Sequence, residues 1–475
     1  MCGHATRHLI CVAGCWILLA VMLQAAHAVP LAPGPKPASV GAGLLPAIRL
    51  GEPSRRTGVR VFVDADGHER HFRGVNAVVK GPPWHPSLGA FDFQTSMVEQ
   101  DFALLQAAGV TVVRLGILWA GVEPVRGQYN YTYINTLRGV AQKASSYGIY
   151  TLLDMHQDVM SEKFCGEGLP PWAVQPSGSL HFPEPIGPAF MTPDTGSGFP
   201  TRTDCARHPW SSYYVSEASS TAWQALFSNK DGLLDAWGAM WHTVVSVFKG
   251  DTHVLGIEAI NEPFAGDVLH DPLLLEPVLA DRVNLERAYA SVARQVWDAD
   301  PSRLFFFAPV TWANLGSGFQ SAPAGEANAN RSVLVFHHYE RPWGPQFKHS
   351  SVKHTERYVK DAARLGTGLM LTEIAEVFNL TLTPAHSLAI SRCLRWRRAK
   401  RLPVFLPWTD FGLCLSHFSW CSFLLQHCGD SPESWESWDA ITGAAEKHLT
   451  SWVSWEFKRF SKGPPYPSAE SQWNE

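Results

Sequence analysis

VLGIEAINEP, the stretch Val254–Pro263, runs from an apolar start into a polar finish. It is too short and too uniformly apolar for an amphipathic surface helix. It reads instead as a strand buried on both faces that delivers polar groups at its C-terminal end. Working outward, the same design recurs on both sides. Before it stand RGVNAVV (73–79), TVVRLGILW (111–119) and IYTLLDMH (149–156). After it stand RLFFFAPV (303–310), VLVFHHY (333–339), GLMLTEI (368–374) and LTSWVSWEF (449–457). Segments with helical spacing lie between them, such as Val98, Phe102 and Leu105, or Ile134, Leu137 and Ala141. Eight βα-type units in one α/β domain predict a parallel sheet covered by helices. That number favours a closed (β/α)8 barrel over an open doubly wound sheet. No glycine-rich phosphate fingerprint follows the first run, which weighs against a dinucleotide site. Ahead of the barrel, RVFVD and ERHF flank the turn Asp64-Ala-Asp-Gly67 and predict a hairpin within Val59–Arg73.

The polar ends of these runs carry Arg114, His156, Asp158, Asn261, Glu262, His337, Tyr339, Glu373 and Trp455. A barrel brings such ends together on one face, so residues far apart in sequence become neighbours. Glutamates closing apolar strands need a reason, because burying an unpaired carboxylate is costly. Two of them on one face can protonate a leaving oxygen and stabilise an oxocarbenium-like centre, which is what breaking an acetal requires. Plainer readings remain for each neighbour. His156 and His337 can be satisfied core histidines, Arg114 a partner for any strand-end carboxylate, and Trp452 competes with Trp455 for the site.

The chain has 475 residues, 45% hydrophobic and 17% charged, with a net charge of −4. That balance supports a large core and excludes a nucleic-acid partner. Nineteen Trp suit stacking on sugar faces and barrel packing equally. Residues 1–28 read as a secretory signal, with Arg7, the apolar stretch Leu9–Ala26 and the small-residue site Ala26-His27-Ala28. Secretion permits disulfides, and Cys165 and Cys205, which bracket a long excursion after the third run, are expected to pair. Cys393, Cys414, Cys421 and Cys428 fit no usual zinc spacing. Sequons at Asn130, Asn330 and Asn379 agree with an extracytoplasmic route. Residues 29–50 read as a flexible lead-in, 51–462 as the barrel domain and 463–475 as a tail. Within the domain, 377–426 holds one acidic residue, Asp410, against Arg392, Arg395, Arg397, Arg398, Lys400 and Arg401. It has no clean period and reads as a non-homologous insertion.

FRGVN, the VVRL arginine, INEP and the Thr372-Glu373 pair resemble glycoside hydrolase family 5. NAVVKGPPW, RLGILWAGVEPVRGQYN, LLDMHQDVMSEKFCGEGLPPWA and IEAINEPFAGD resemble its endoglycoceramidases more narrowly, enzymes that release intact glycans from glycosphingolipids. The likeness covers about residues 55–375 and resumes over Trp438–Phe460. It implies Glu262 as general acid/base and Glu373 as nucleophile of a retaining reaction. A separation of about 5–5.5 Å between the carboxyl groups would follow. It further implies that Asn261 holds the substrate 2-hydroxyl and that Arg114 keeps Glu373 ionised. His156, His337 and Tyr339 would line the site, Lys80 and Asp158 would grip the sugar next to the ceramide, and Trp455 would form the floor. No metal or organic cofactor is implied. The implied partner is a glycosphingolipid or another β-glycoside, with membrane-surface contact through the lipid. The resemblance also implies a β-sandwich after the barrel. The alternatives are a family-5 β-glucosidase or endo-β-glucanase, or a carbohydrate-binding isoform impaired by 377–426.

Overall fold

The computed structural model describes residues 45–174, 181–190, 198–276, 278–310, 316–340, 347–376, 441–448 and 450–458. The expected signal, the 377–426 segment and the tail lie outside the described residues. Strands β1 (Arg49–Pro53), β2 (Arg60–Val63) and β3 (Glu69–Arg70) form an antiparallel sheet in that order. The β2–β3 turn is the predicted one. Asp64 Oδ1 accepts from the Asp66 and His68 N–H groups, and Gly67 supplies the positive φ of 84°. The lead-in expected over 29–50 is shorter than read, since Arg49 and Leu50 already belong to β1. Ile48 and Leu50 are buried, and they join Phe62 and Phe72 in an apolar cluster with the barrel's interior side chains.

Eight parallel strands close the barrel: β4 (Arg73–Ala77), β5 (Val112–Gly116), β6 (Tyr150–Asp154), β7 (Val254–Glu258), β8 (Leu304–Phe307), β9 (Ser332–Glu340), β10 (Gly368–Glu376) and β11 (Ser451–Ser454). The hydrogen-bonded order runs β4 through β11, and β11 returns to β4. Each predicted run contributes one strand. The helices include α1 (Glu99–Ala107), α2 (Tyr131–Ser146), α3 (Glu217–Phe227), α4 (Leu233–Val247), α5 (Glu286–Ala299), α6 (Phe347–Leu365) and α7 (441–447).

Strand alternation sorts the core into two layers. Val112, Leu152, Phe306, Val333, Val335, Met370 and Val453 point into the barrel. Their neighbours Val113, Leu153, Phe305, Leu334, Phe336 and Leu371 point outward. There they meet helix residues such as Phe102, Ile134, Leu137, Trp241 and Val292. Gly256 leaves the interior open where a side chain would collide, because a Cβ there would sit 2.3 Å from the Leu304 carbonyl oxygen.

Candidate active site

Two residues beyond the inward apolar layer, the same alternation turns polar. After Val112 comes Arg114, after Leu152 Asp154, after Gly256 Glu258, and after Val335 His337. Asn76 on β4 joins them, and all five are buried. The Arg114 guanidinium is the hub. Its Nε and Nη2 donate to Glu258 at 2.8 and 2.9 Å, and Nη2 lies 3.0 Å from Asp154. Its Nη1 donates to Glu373 Oε1 at 2.6 Å and to Asn76 Oδ1 at 2.8 Å. Burial alone would weaken its charge, but Asp154, Glu258 and Glu373 together hold it firmly protonated. Burial also lifts the Glu258 carboxyl above its ordinary range, against the pull of Arg114 and with help from Asp154.

Glu373 reaches this hub through an irregularity in β10. The pairing with β9 slips between Leu371 and Glu373, and the pairing with β11 slips between Leu371 and Ile374. Strict alternation would send Glu373 outward with Leu371; the shift turns it in. Burial pushes its pKa up, but His337, Arg114, His156 and the Tyr339 hydroxyl outweigh this and leave it lowered. Tyr339 donates its O–H to Glu373 Oε2.

Glu262, expected to close its strand, instead stands four residues beyond the end of β7 at Glu258, in the following loop. Its φ of 38° is left-handed, a conformation that a non-glycine residue adopts only where its surroundings enforce it. His337 Nδ1 lies 2.7 Å from Glu262 Oε1 and 3.4 Å from Glu373 Oε2. One oxygen of each carboxyl group falls within 4.8 Å of one of the other. The Glu262 side chain is 18% exposed against 3% for Glu373. One carboxyl group faces the opening and the other is sealed against cations. Burial lowers the His337 pKa, but Glu373 and Glu262 raise it above the usual value.

A second cluster adjoins the pair. Lys80 Nζ donates to Asp158 and lies 3.4 Å from Glu167. Lys80 also sits 4.8 Å above the ring of Trp455. His156 stacks on that ring at 5.2 Å, and its Nδ1 lies 2.9 Å from Asp154. Burial opposes a charge on His156, but Asp154 and Asp158 raise its pKa to about 9. Glu167 is pushed up to about 8 by burial, with Lys80 pulling the other way. Trp455 therefore faces the site, while Trp452 packs in the outer apolar layer. Asn261 Oδ1 accepts from Arg114 at 2.8 Å, so the side chain expected to meet a sugar hydroxyl is anchored from below.

All ten expected site residues thus converge: Lys80, Arg114, His156, Asp158, Asn261, Glu262, His337, Tyr339, Glu373 and Trp455. Asn76, Asp154, Glu167 and Glu258 escaped the sequence reading. For Asp154 and Glu258 the signal was present, since each stands two residues after an inward-facing position. Among the described residues, His156, Asp158 and Glu167 are close enough to share a metal ion, as are Glu262, His337 and Glu373. Lys80 already supplies the cation in the first group, and the His337–Glu262 contact occupies donors of the second.

The family model described as Cellulase (glycosyl hydrolase family 5) matches residues 63–461. An endoglycoceramidase of Cyanea nozakii is 44% identical over 317 residues, 66% of this chain and 61% of that protein. One of Hydra vulgaris is 41% identical over 317 residues, 67% of this chain and 60% of that protein. The chain thus spans about three fifths of the length of these relatives. Among solved structures, endo-glycoceramidase II from Rhodococcus sp. in complex with ganglioside GM3 superposes with a TM-score of 0.56 at 20% identity. That match covers 83% of this chain and 75% of the other, and it is a likeness of fold.

Proposed function

The chain belongs to glycosyl hydrolase family 5, and from that membership we propose that it hydrolyses the β-glycosidic bond joining an oligosaccharide to the ceramide of a glycosphingolipid, with retention of configuration. The observation that carries the reaction is the unequal carboxyl pair. Glu373, buried and held ionised beside Arg114, attacks the anomeric carbon. Glu262, the more open of the two, gives its proton to the departing oxygen. It then takes a proton from the water that releases the sugar from Glu373. Oxygens within 4.8 Å suit the retaining arrangement, whose carboxyl groups lie about 5–5.5 Å apart, against about 6.5–9.5 Å for inversion. Lys80 and Asp158 offer a donor and an acceptor beside the Trp455 ring, a combination that suits a pyranose.

The substrate class rests on the relatives named endoglycoceramidase and on the neighbour solved with ganglioside GM3. A lipid aglycone would bring the protein to a membrane surface. We also propose export, which the Ala26-His27-Ala28 site and the Cys165–Cys205 bridge both support. The test is glycan release from a fluorescent ganglioside, compared with a simple β-glucoside. Intact oligosaccharide should appear faster from the ganglioside. Glu373→Gln should lower turnover by at least about 10⁴-fold with folding intact, as losing a nucleophile does. Preference for the simple glucoside would transfer the reading to a β-glucosidase, and undiminished turnover by the variant would remove Glu373 from the site.

A further inference from the structure

Gln157 lies between His156 and Asp158, is fully buried, and has no part in the chemistry above. Its Nε2 donates to the carbonyl oxygens of Asn261 at 2.7 Å and of Glu262 at 3.0 Å. Its Oε1 accepts from the Met160 N–H at 2.8 Å, and its main-chain carbonyl accepts from Asn261 Nδ2 at 3.1 Å. One side chain therefore ties the loop after β6 to the loop after β7, at the residue with φ of 38°. Two carbonyl oxygens converging on one point repel each other unless a donor with two hydrogens stands between them. A primary amide has both. None of these bonds reaches Glu373. Apart from the one to Met160, they end on the peptide groups on either side of the Glu262 α-carbon and on the amide of Asn261.

We infer that Gln157 is a positioning residue for proton donation: by clamping the Asn261 and Glu262 carbonyls it keeps Glu262 left-handed, with its carboxyl group at the leaving oxygen. The inference rests on the reading of Glu262 as the acid. Removing the clamp should therefore impair departure of groups that need a proton and spare those that do not.

The test uses the full chain with Gln157→Met, which keeps the length and loses the donor, and Gln157→Glu. Two β-glycosides with the same sugar are compared by kcat/KM, which reports steps up to the first bond cleavage. One has an alkyl leaving group, and the other a dinitrophenolate that departs without a proton. Gln157→Met should lose about 100-fold on the alkyl glycoside and only about threefold on the dinitrophenyl one, general-acid help being worth ~10²–10⁴-fold. Gln157→Glu should recover part of the loss on the alkyl substrate as pH falls, because a neutral carboxyl group regains one of the two donor hydrogens. Equal losses on both substrates, or none on either, would overturn the inference. Should the unaltered protein cleave neither glycoside, the functional reading fails by itself. A crystal structure of Gln157→Met then decides the role of Gln157. Glu262 leaving the left-handed region supports it, and Glu262 unmoved against His337 sinks it.

Discussion

Glu262 and Glu373 are the same side chain in different surroundings, and the roles proposed for them rest on that difference. Glu373 receives hydrogen bonds from Arg114 and Tyr339 and has His337 beside it, so its charged form is favoured despite burial. A nucleophile needs that state at working pH, while its partner must carry a proton. The Tyr339 hydroxyl acts by donating to the carboxylate, which lowers the pKa of Glu373. Tyr339→Phe removes the donor, so Glu373 binds a proton at higher pH and the acid limb of kcat/KM should move upward. A hydrogen bond to a charged group is worth ~1.5–3 kcal/mol, and a pKa unit corresponds to ~1.4 kcal/mol, so the move should be about one to two pH units. A pH–rate profile that shifts downward or stays in place would show that the hydroxyl does not stabilise the nucleophile.

At the level of elements, the excursion between β6 and α3 carries Asp158 and Glu167, which pair with Lys80. Asp158 and Glu167 are joined there by an antiparallel bridge, and the Cys165–Cys205 disulfide closes the loop over a separation of 40 residues. Both cysteines are buried, and the Tyr213 hydroxyl donates to the Cys205 carbonyl at 2.9 Å. The bridge restricts the unfolded chain more than the folded one. Replacing both cysteines with Ser should lower unfolding free energy by about 3–4 kcal/mol, the loop-closure value for this length. Urea unfolding of the oxidised protein and the double variant measures it directly. Because Lys80 is anchored on this excursion, the variant should also show a raised KM for the glycoside. An unchanged midpoint and slope would mean that packing alone holds the segment.

For the whole molecule, the critical seam is where β11 meets β4, since a barrel missing one junction is an open sheet with two unpaired edges. Just past β11, Lys458 turns back to the first barrel helix. Its Nζ, nearly fully buried, donates to Asp101 Oδ1 at 2.5 Å, to the Asp92 carbonyl at 2.8 Å and to Ser96 at 3.0 and 3.1 Å. Asp101 is completely buried and also accepts from the Val98 N–H at 2.8 Å. Lys458→Met would strand that carboxylate, and breaking a buried pair from one side costs about 3–5 kcal/mol. Thermal and urea unfolding of the variant should show a loss in that range. A loss under about 1 kcal/mol would mean that strand pairing closes the seam without the ion pair.

Much of this architecture is local in origin. Eight apolar runs with polar ends determine a parallel barrel, because strands covered on both faces cannot alternate with water and the intervening segments have helical spacing. The ends of those runs likewise name nine of the ten residues that meet on one face, and only the family resemblance adds Lys80. The sequence alone could not decide which face of β10 Glu373 occupies. By alternation it belongs with Leu371 outside, and only the register slip against β9 and β11 turns it inward, a consequence of pairing between distant strands. Nor does the Asn261-Glu262-Pro263 motif reveal that Glu262 stands beyond the strand in a left-handed turn held by Gln157. The strand positions of Asp154 and Glu258 mark them as inward-facing, but nothing local identifies them as partners of Arg114. Their charges are affordable only where a cation from another strand meets them, and closure of the barrel, not local propensity, brings that cation there.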